Sequence, residues 1–142
     1  MAFLFLGFIC LYVVDEAKNE VQLVAASGTE EYARAVERYN FNLTKFHLSL
    51  ADNPDNTIVK AIVRSKPQDT TDWVTLSRKG SSPETVRFNQ ANSGIAYTAI
   101  YPFSSPRRGA MMYNFYQYPD KIDDAQREFM QKYTALVAAS IP

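Results

Sequence analysis

The chain opens on an uninterrupted apolar run. Every residue from Ala2 to Val14 is apolar, glycine or tyrosine, and the run ends at Asp15 and Glu16. As a helix it would rise about 20 Å, short of the roughly 30 Å hydrocarbon core of a bilayer. Apolar residues then continue at helical spacing at Ala17, Val21, Val24 and Ala25. The pattern predicts a membrane anchor helix with an amphipathic extension over residues 1–26.

Three other interpretations of this run stay open. A secretory signal peptide usually has a basic start and small residues at a cleavage site, whereas charged residues follow Val14 here. A lipoprotein signal would use Cys10, but bulky Ile9 precedes it. A buried core helix is the third possibility. The anchor fits the composition of the run best.

A second apolar stripe predicts a long helix. Ser27 and Glu30 form a capping-box pattern, which favours a helix start. Apolar and aromatic side chains then recur every three or four residues, at Tyr32, Val36, Tyr39, Leu43, Phe46 and Leu50. The Asn, Asp and Pro residues of segment 51–56 favour a turn that ends this helix.

Short runs with strand character follow, separated by turn-rich segments. They begin at Thr57 (TIVKAIV), Trp73 (WVTLS), Glu84 (ETVRF), Ile95 (IAYTAIYPF) and Ala110 (AMMYNFYQY). They predict a five-stranded antiparallel meander. A closing helix is predicted from Asp120, burying Ile122, Ala125, Phe129, Tyr133 and Leu136. The predicted fold class is α+β, with a folded domain over residues 29–142 behind the anchor.

Charge and composition exclude several classes of function. Fifteen basic residues balance fifteen acidic ones among 142, so no net positive field attracts nucleic acid. Cys10 is the single cysteine and His47 the single histidine, so neither a catalytic triad nor a Cys/His metal site can be assembled. The acidic residues Asp120, Asp123, Asp124 and Glu128 are interpreted as helix capping, and segment 52–56 as a turn. We expect no enzyme activity, metal or cofactor.

The last two predicted strands are unusual because aromatic and apolar residues occupy both of their faces. One face can pack on helices, and the other is expected to line a pocket or meet a partner. Arg107 and Arg108 lie in the loop between the strands, where they could hold a carboxylate or an anionic lipid head group. The predicted contact residues are Tyr97, Tyr101, Arg107, Arg108, Tyr113, Tyr116 and Tyr118.

The order of elements resembles the PAS and single-Cache extracytoplasmic sensor domains of bacterial receptors. Two stretches, VRSKPQDTTDW at 63–73 and GIAYTAIYPF at 94–103, are similar to the Tll0287-like domain, and this resemblance covers residues 29–118. Several members of that family carry a Cys-x-x-Cys-His haem motif after the aromatic strand. This chain has SSPRRG at 104–109 instead, so the resemblance implies the scaffold without covalent haem.

These observations predict a single-pass membrane protein with its folded domain on the periplasmic or extracellular side. The first hypothesis is a non-catalytic accessory or structural subunit of a larger integral membrane complex, respiratory or photosynthetic. It would contact that complex and the lipid bilayer through residues 2–14 and the outer sheet face. The alternative is a small-molecule sensor whose pocket is lined by Tyr97, Tyr113 and Tyr116. A pilin-like subunit is the third possibility.

Overall fold

The computed structural model describes residues 6–28 and 46–142. The described chain forms six strands, three α-helices and two 3₁₀ turns. The strands are β1 (Leu6–Asp15), β2 (Glu20–Gly28), β3 (His47–Ser49), β4 (Gln68–Thr70), β5 (Tyr97–Phe103) and β6 (Gly109–Phe115). The helices are α1 (Thr57–Arg64), α2 (Pro83–Ser93) and α3 (Asp124–Ala139), and the 3₁₀ turns are Trp73–Leu76 and Pro119–Lys121.

The six strands form one antiparallel sheet in the order β3-β2-β1-β6-β5-β4. The first and last strands of the sequence therefore lie side by side at the centre. Cys10 pairs with Met112 across β1 and β6, and Ile100 pairs with Met112 across β5 and β6. The α+β class is confirmed, but the sheet has six strands and is not a meander.

The predicted anchor helix is wrong for residues 6–26, which form the β1–β2 hairpin of this sheet. The run is apolar throughout because β1 is central and covered on both sides. Phe8, Cys10 and Tyr12 face one side, while Ile9 and Leu11 face the other. A strand buried on both faces reads as a continuous apolar run, like a short membrane helix. Among the residues that the structure describes, no helix has the length and apolarity needed to cross a membrane.

Two predicted strands are α-helices, because capping residues outweigh β-branched composition. Asn56 accepts hydrogen bonds from the backbone N–H groups of Ile58 and Val59 and so starts α1. Ser82 caps α2, Pro83 occupies its first turn, and Gly94 ends it at a φ of 77°. The segment from Trp73, also predicted as a strand, is a 3₁₀ turn capped by Asp72.

The last three elements are confirmed in type and order. The two aromatic strands are β5 and β6, and the closing helix is α3, whose capping box joins Asp123 and Gln126. The buried stripe of α3 is rotated from the predicted one. It comprises Gln126, Met130, Thr134 and Ala138, while the exposed fraction of Leu136 is 65%.

Only the two ends of the predicted long helix lie within the described residues, and both ends are strands, so the prediction is wrong there. Ser27, its predicted cap, lies in β2. His47 and Leu48, near its predicted end, lie in β3 and pair with Gln22 and Val21. Residues 29–45 lie outside the described residues.

Helices cover the sheet on both sides. We call the side that packs on α1 and the Trp73–Leu76 turn the α1 face, and the side that packs on α3 the α3 face. Each face holds its own buried cluster, built around Ile58 and Ile62 on the α1 face and around Met130 on the α3 face. A surface site on this sheet must therefore lie at the edge of a helix.

Candidate functional site

The sequence-predicted tyrosines do not form one site, because the sheet separates them. Tyr97, Tyr101 and Tyr113 belong to the α3 face, whereas Tyr116 packs on the α1 face. Tyr118 lies beyond β6 with an exposed fraction of 68%. The predicted pocket of Tyr97, Tyr113 and Tyr116 is therefore wrong.

The tyrosines of the α3 face make contacts within the domain, to helix α3 and to the edge strand β4. The Tyr113 hydroxyl contacts Thr134 Oγ1 at 2.7 Å and donates to the carbonyl of Met130 at 3.2 Å. The Tyr97 hydroxyl donates to Asp69 Oδ2 at 2.8 Å. The Tyr101 ring packs edge to face on that of Tyr113. Burial raises the pKa of all three hydroxyls, which keeps them protonated hydrogen-bonding groups.

The loop between β5 and β6 carries Arg107 and Arg108. These two arginines contact the β1–β2 hairpin and lie apart from the tyrosines. The Arg108 guanidinium donates to both carboxylate oxygens of Glu16, at 3.0 and 2.8 Å. Arg107 Nη2 donates to the carbonyl of Val14 at 3.2 Å. Glu16 thus already occupies the bidentate position that was predicted for an external carboxylate.

We expect Arg108→Ala to raise the pKa of Glu16. The hydrogen bond from Arg108 holds this pKa below its ordinary value. The pair therefore stabilises the fold above the unfolded-state pKa of Glu16, and this contribution is lost as pH falls through the folded-state pKa. NMR titration of the Glu16 carboxyl measures the shift. Arg107→Ala is the control and should raise the pKa less; equal shifts in the two variants would rule out the specific pair.

Two of the remaining sequence candidates, His47 and Asn53, have structural partners. His47 Nδ1 lies 3.0 Å from Glu20 Oε1. Asn53 bridges two loops by donating to the carbonyl of Ser49 and accepting from the backbone N–H of Lys79. Within residues 6–28 and 46–142, no cluster of three or more His, Cys, Asp or Glu side chains is arranged to hold a metal ion.

A different group of side chains converges on the α1 face. Phe8 and Trp73 pack edge to face with 6.2 Å between ring centroids, and Tyr12 and Phe46 do so at 5.6 Å. Tyr116 packs against the same cluster. Phe46, Trp73 and Tyr116 are only partly buried. We call these five residues the aromatic site.

A chain of buried polar groups forms the base of this site. Trp73 Nε1 donates to Thr98 Oγ1 at 3.1 Å, and Thr98 Oγ1 donates to Asn114 Oδ1 at 2.6 Å. Asn114 Nδ2 donates to the carbonyl of Phe8 at 3.5 Å. Thr98 and Asn114 are fully buried. The chain links the partly exposed indole to the centre of the sheet.

Two neutral polar groups of β1, the Cys10 thiol and the Tyr12 hydroxyl, belong to the same buried cluster. Cys10 lies between Phe8 and Tyr12 on β1, and burial raises the pKa of its thiol to about 12, so it is uncharged at neutral pH. The Tyr12 hydroxyl donates to Met112 Sδ at 3.7 Å. Aromatic walls with a few placed polar groups are typical of small-molecule sites.

Sequence reasoning found Tyr116 but missed the other four members of this site. Phe8 and Tyr12 were assigned to the membrane, Phe46 to a helix and Trp73 to a strand. Period-two alternation along residues 8, 10 and 12 was the available signal, but the equally apolar residues between them concealed it.

Comparisons with known proteins identify the fold. No protein-family model matches the chain, and no curated protein matches it. Among solved structures, the GAF domain region of a protein from Geobacter sulfurreducens PCA superposes with a TM-score of 0.62 at 15% identity, covering 94% of this chain and 80% of that one.

Two further structures have the same fold. Residues 122 to 287 of a methyl-accepting chemotaxis protein give a TM-score of 0.61 at 13% identity, covering 94% of this chain and 76% of that one. A type II free methionine-R-sulfoxide reductase from Thermoplasma acidophilum gives 0.57 at 10% identity, covering 95% and 78%. The chain therefore has a PAS/GAF-like fold. The narrower Tll0287-like resemblance is not supported by these structures.

Proposed function

We propose that this chain is a ligand-responsive sensor domain that binds a small uncharged molecule at the aromatic site. The observation that carries the proposal is the polar chain from Trp73 through Thr98 to Asn114, at the base of an otherwise aromatic wall. A ligand that alters the position of the indole acts directly on a central pair of strands. Binding is thereby coupled to the sheet.

The fold neighbours support the proposal without identifying a ligand. Two of them are a GAF domain region and a segment of a methyl-accepting chemotaxis protein, and the latter is a signalling protein by name. The accessory-subunit hypothesis loses its main support, because β1, assigned to the bilayer contact, is the central strand of the sheet. A membrane location and a partner complex stay predictions of the sequence.

A ligand screen tests the proposal, with Trp73 as the reporter. It is the single tryptophan of the chain, so its emission reports on the aromatic site alone. We would titrate indole, nicotinamide and adenine while measuring emission and melting temperature. A ligand at about 100 times its Kd stabilises the fold by about 2.7 kcal/mol. We expect at least one uncharged ring compound to change both signals.

A matched pair of variants locates the binding. Tyr116→Leu removes a ring of the aromatic site, whereas Tyr133→Leu removes a partly buried ring on the opposite α3 face of the sheet. We expect only the first variant to weaken binding of the compound found. If no compound of the panel changes either signal, or if both variants bind equally well, the proposal is wrong.

A reductase is the alternative function, because the third fold neighbour is a free methionine-R-sulfoxide reductase by name, and Cys10 argues against one that would use a thiol of this chain. Thiol chemistry requires an accessible thiolate, but the exposed fraction of Cys10 is 1% and its thiol pKa is raised to about 12. We expect an aromatic disulfide reagent at pH 8 to label the native chain only as fast as it unfolds, and to label it at once in denaturant. Immediate labelling of the native chain would contradict the burial of Cys10 and revive the reductase.

A further inference from the structure

Helix α2 is joined to the domain in a different way from α1 and α3. No residue of α2 is buried, whereas α1 buries five residues and α3 four. The exposed fraction of Phe88 on α2 is 60%. The helix packs mainly beside the Trp73–Leu76 turn, the turn that supplies the indole of the aromatic site. Apolar burial therefore contributes little to holding α2 in place.

Polar contacts of two side chains attach α2 instead. Gln90 Oε1 accepts from the backbone N–H of Trp73 at 2.9 Å, and Gln90 Nε2 donates to the carbonyls of Thr71 at 3.0 Å and Ile95 at 3.1 Å. Arg87 contacts Asp72 at 3.1 Å. Both partners of this ion pair are well exposed, so the pair is weak. Gln90 is the principal attachment among the described residues.

Open space lies beside Gln90. A cleft of about 480 Å³ is lined by Gln90, Arg87 and Ala91 of α2, by the 94–96 segment, and by Thr71 and Tyr118. If α2 moves away, water in the cleft can replace the three hydrogen bonds of Gln90. Little apolar surface is exposed by this movement. Displacement of α2 is therefore far less costly than unfolding of the sheet.

We infer that α2 is a gate beside the aromatic site and that Gln90 is the positioning residue that keeps it closed. Opening frees the backbone N–H of Trp73 and uncovers the Trp73–Leu76 turn from the cleft side. Closing fixes the same turn through Gln90. The inference rests on the proposed function for its purpose, because a gate regulates access only where a ligand binds.

The test measures gate opening without a ligand. In Gln90→Ala we expect amide hydrogen exchange at Trp73 to accelerate about tenfold, the loss of roughly one hydrogen bond. A helix of 11 residues is only marginally stable once it is detached from the domain, so exchange along α2 should accelerate as well. Acrylamide should also quench Trp73 emission more strongly. Asn89→Ala is the matched control, since Asn89 neighbours Gln90 and makes no side-chain hydrogen bond among the described residues. It should leave all three measurements unchanged.

A second variant separates the gate from general destabilisation. Gln90→Glu keeps the acceptor for Trp73 but faces the carbonyls of Thr71 and Ile95 with a carboxylate. We expect α2 to exchange faster while the melting temperature stays near that of the parent chain. Unchanged exchange along α2 in Gln90→Ala, or uniform acceleration across β1 and β6, overturns the gate. A confirmed gate with no compound bound in the ligand screen refutes the proposed ligand site alone.

Discussion

Replacement of Gly109 by alanine is expected to destabilise the fold by about 3 kcal/mol or more, the upper range for overpacking a core. Gly109 begins β6 and pairs with Val13 of β1 and Phe103 of β5. A Cβ atom there would overlap the carbonyl oxygen of Tyr12 and lie 2.6 Å from Cζ of Phe103. The carbonyl belongs to the central strand, so it cannot move without disturbing the β1–β6 pairing.

Urea denaturation of Gly109→Ala and the parent chain measures this loss. Gly80→Ala is the control, because Gly80 has a φ of 90° but no atom lies within 4 Å of the position that its new methyl group would occupy. Its cost is the strain of a left-handed backbone, about 1–2 kcal/mol. Equal losses in the two variants would contradict the close approach of β1 and β6. The prediction thus also tests the β1–β6 pairing. If residues 6–15 formed an anchor helix, Gly109 would have no contact with Tyr12.

The sequence predicted the C-terminal half of the fold better than the N-terminal half. Strands β5 and β6 are flanked by turn residues, and α3 begins at acidic capping residues, so local signals agree with the final structure there. The apolar run of β1 carries no such local signal. Its conformation depends on β6, about one hundred residues later, and composition does not encode that pairing.

The missed helices had usable signals. Ser82-Pro83-Glu84 is a capping residue followed by proline and an acidic first turn, which together favour a helix start. Asn56 before Thr57 is an equally good cap. The β-branched residues of TIVKAIV outweighed it in the sequence interpretation, although Ile58, Ala61 and Ile62 form a helical stripe that faces the sheet.

The candidate site was harder to predict, because its members come from four separate segments. Phe8, Phe46, Trp73 and Tyr116 meet only through the sheet order and the placement of the 3₁₀ turn. The tyrosines were predicted as contact residues because so many of them occur along two strands. Alternation between opposite faces of a sheet then divided them, with Tyr113 under α3 and Tyr116 on the α1 face.

The second large effect is expected in the polar chain at the base of the aromatic site. Thr98→Val keeps the shape of the side chain but removes the hydroxyl that joins Trp73 Nε1 to Asn114 Oδ1. Asn114 Oδ1, which is fully buried, then lacks its hydrogen-bond donor. We expect a loss of about 2 kcal/mol in the free energy of unfolding, the usual range for a buried polar group left unpaired.

Asn114→Leu removes the other half of the same interaction and should cost a similar amount. In the double variant both side chains of this hydrogen bond are apolar, so neither leaves the other as an unpaired polar group. The two losses in free energy of unfolding should therefore not add. We expect the double variant to be more stable than the sum predicts by about 1 kcal/mol, within the range for contacting residues. Circular dichroism during denaturation is the appropriate measurement, because both substitutions alter the surroundings of Trp73.

A second double variant is the control for this coupling. Thr134→Val also removes a buried hydroxyl, one that contacts Tyr113 on the α3 face. Thr98 and Thr134 lie on opposite sides of the sheet and share no hydrogen-bond partner within residues 6–28 and 46–142, so Thr98→Val and Thr134→Val should be additive. Additive losses for Thr98 with Asn114 would show that the two side chains do not act as one unit. Coupling in that pair alone would show that Thr98 and Asn114 act as one unit, which joins β5 to β6 beneath Trp73.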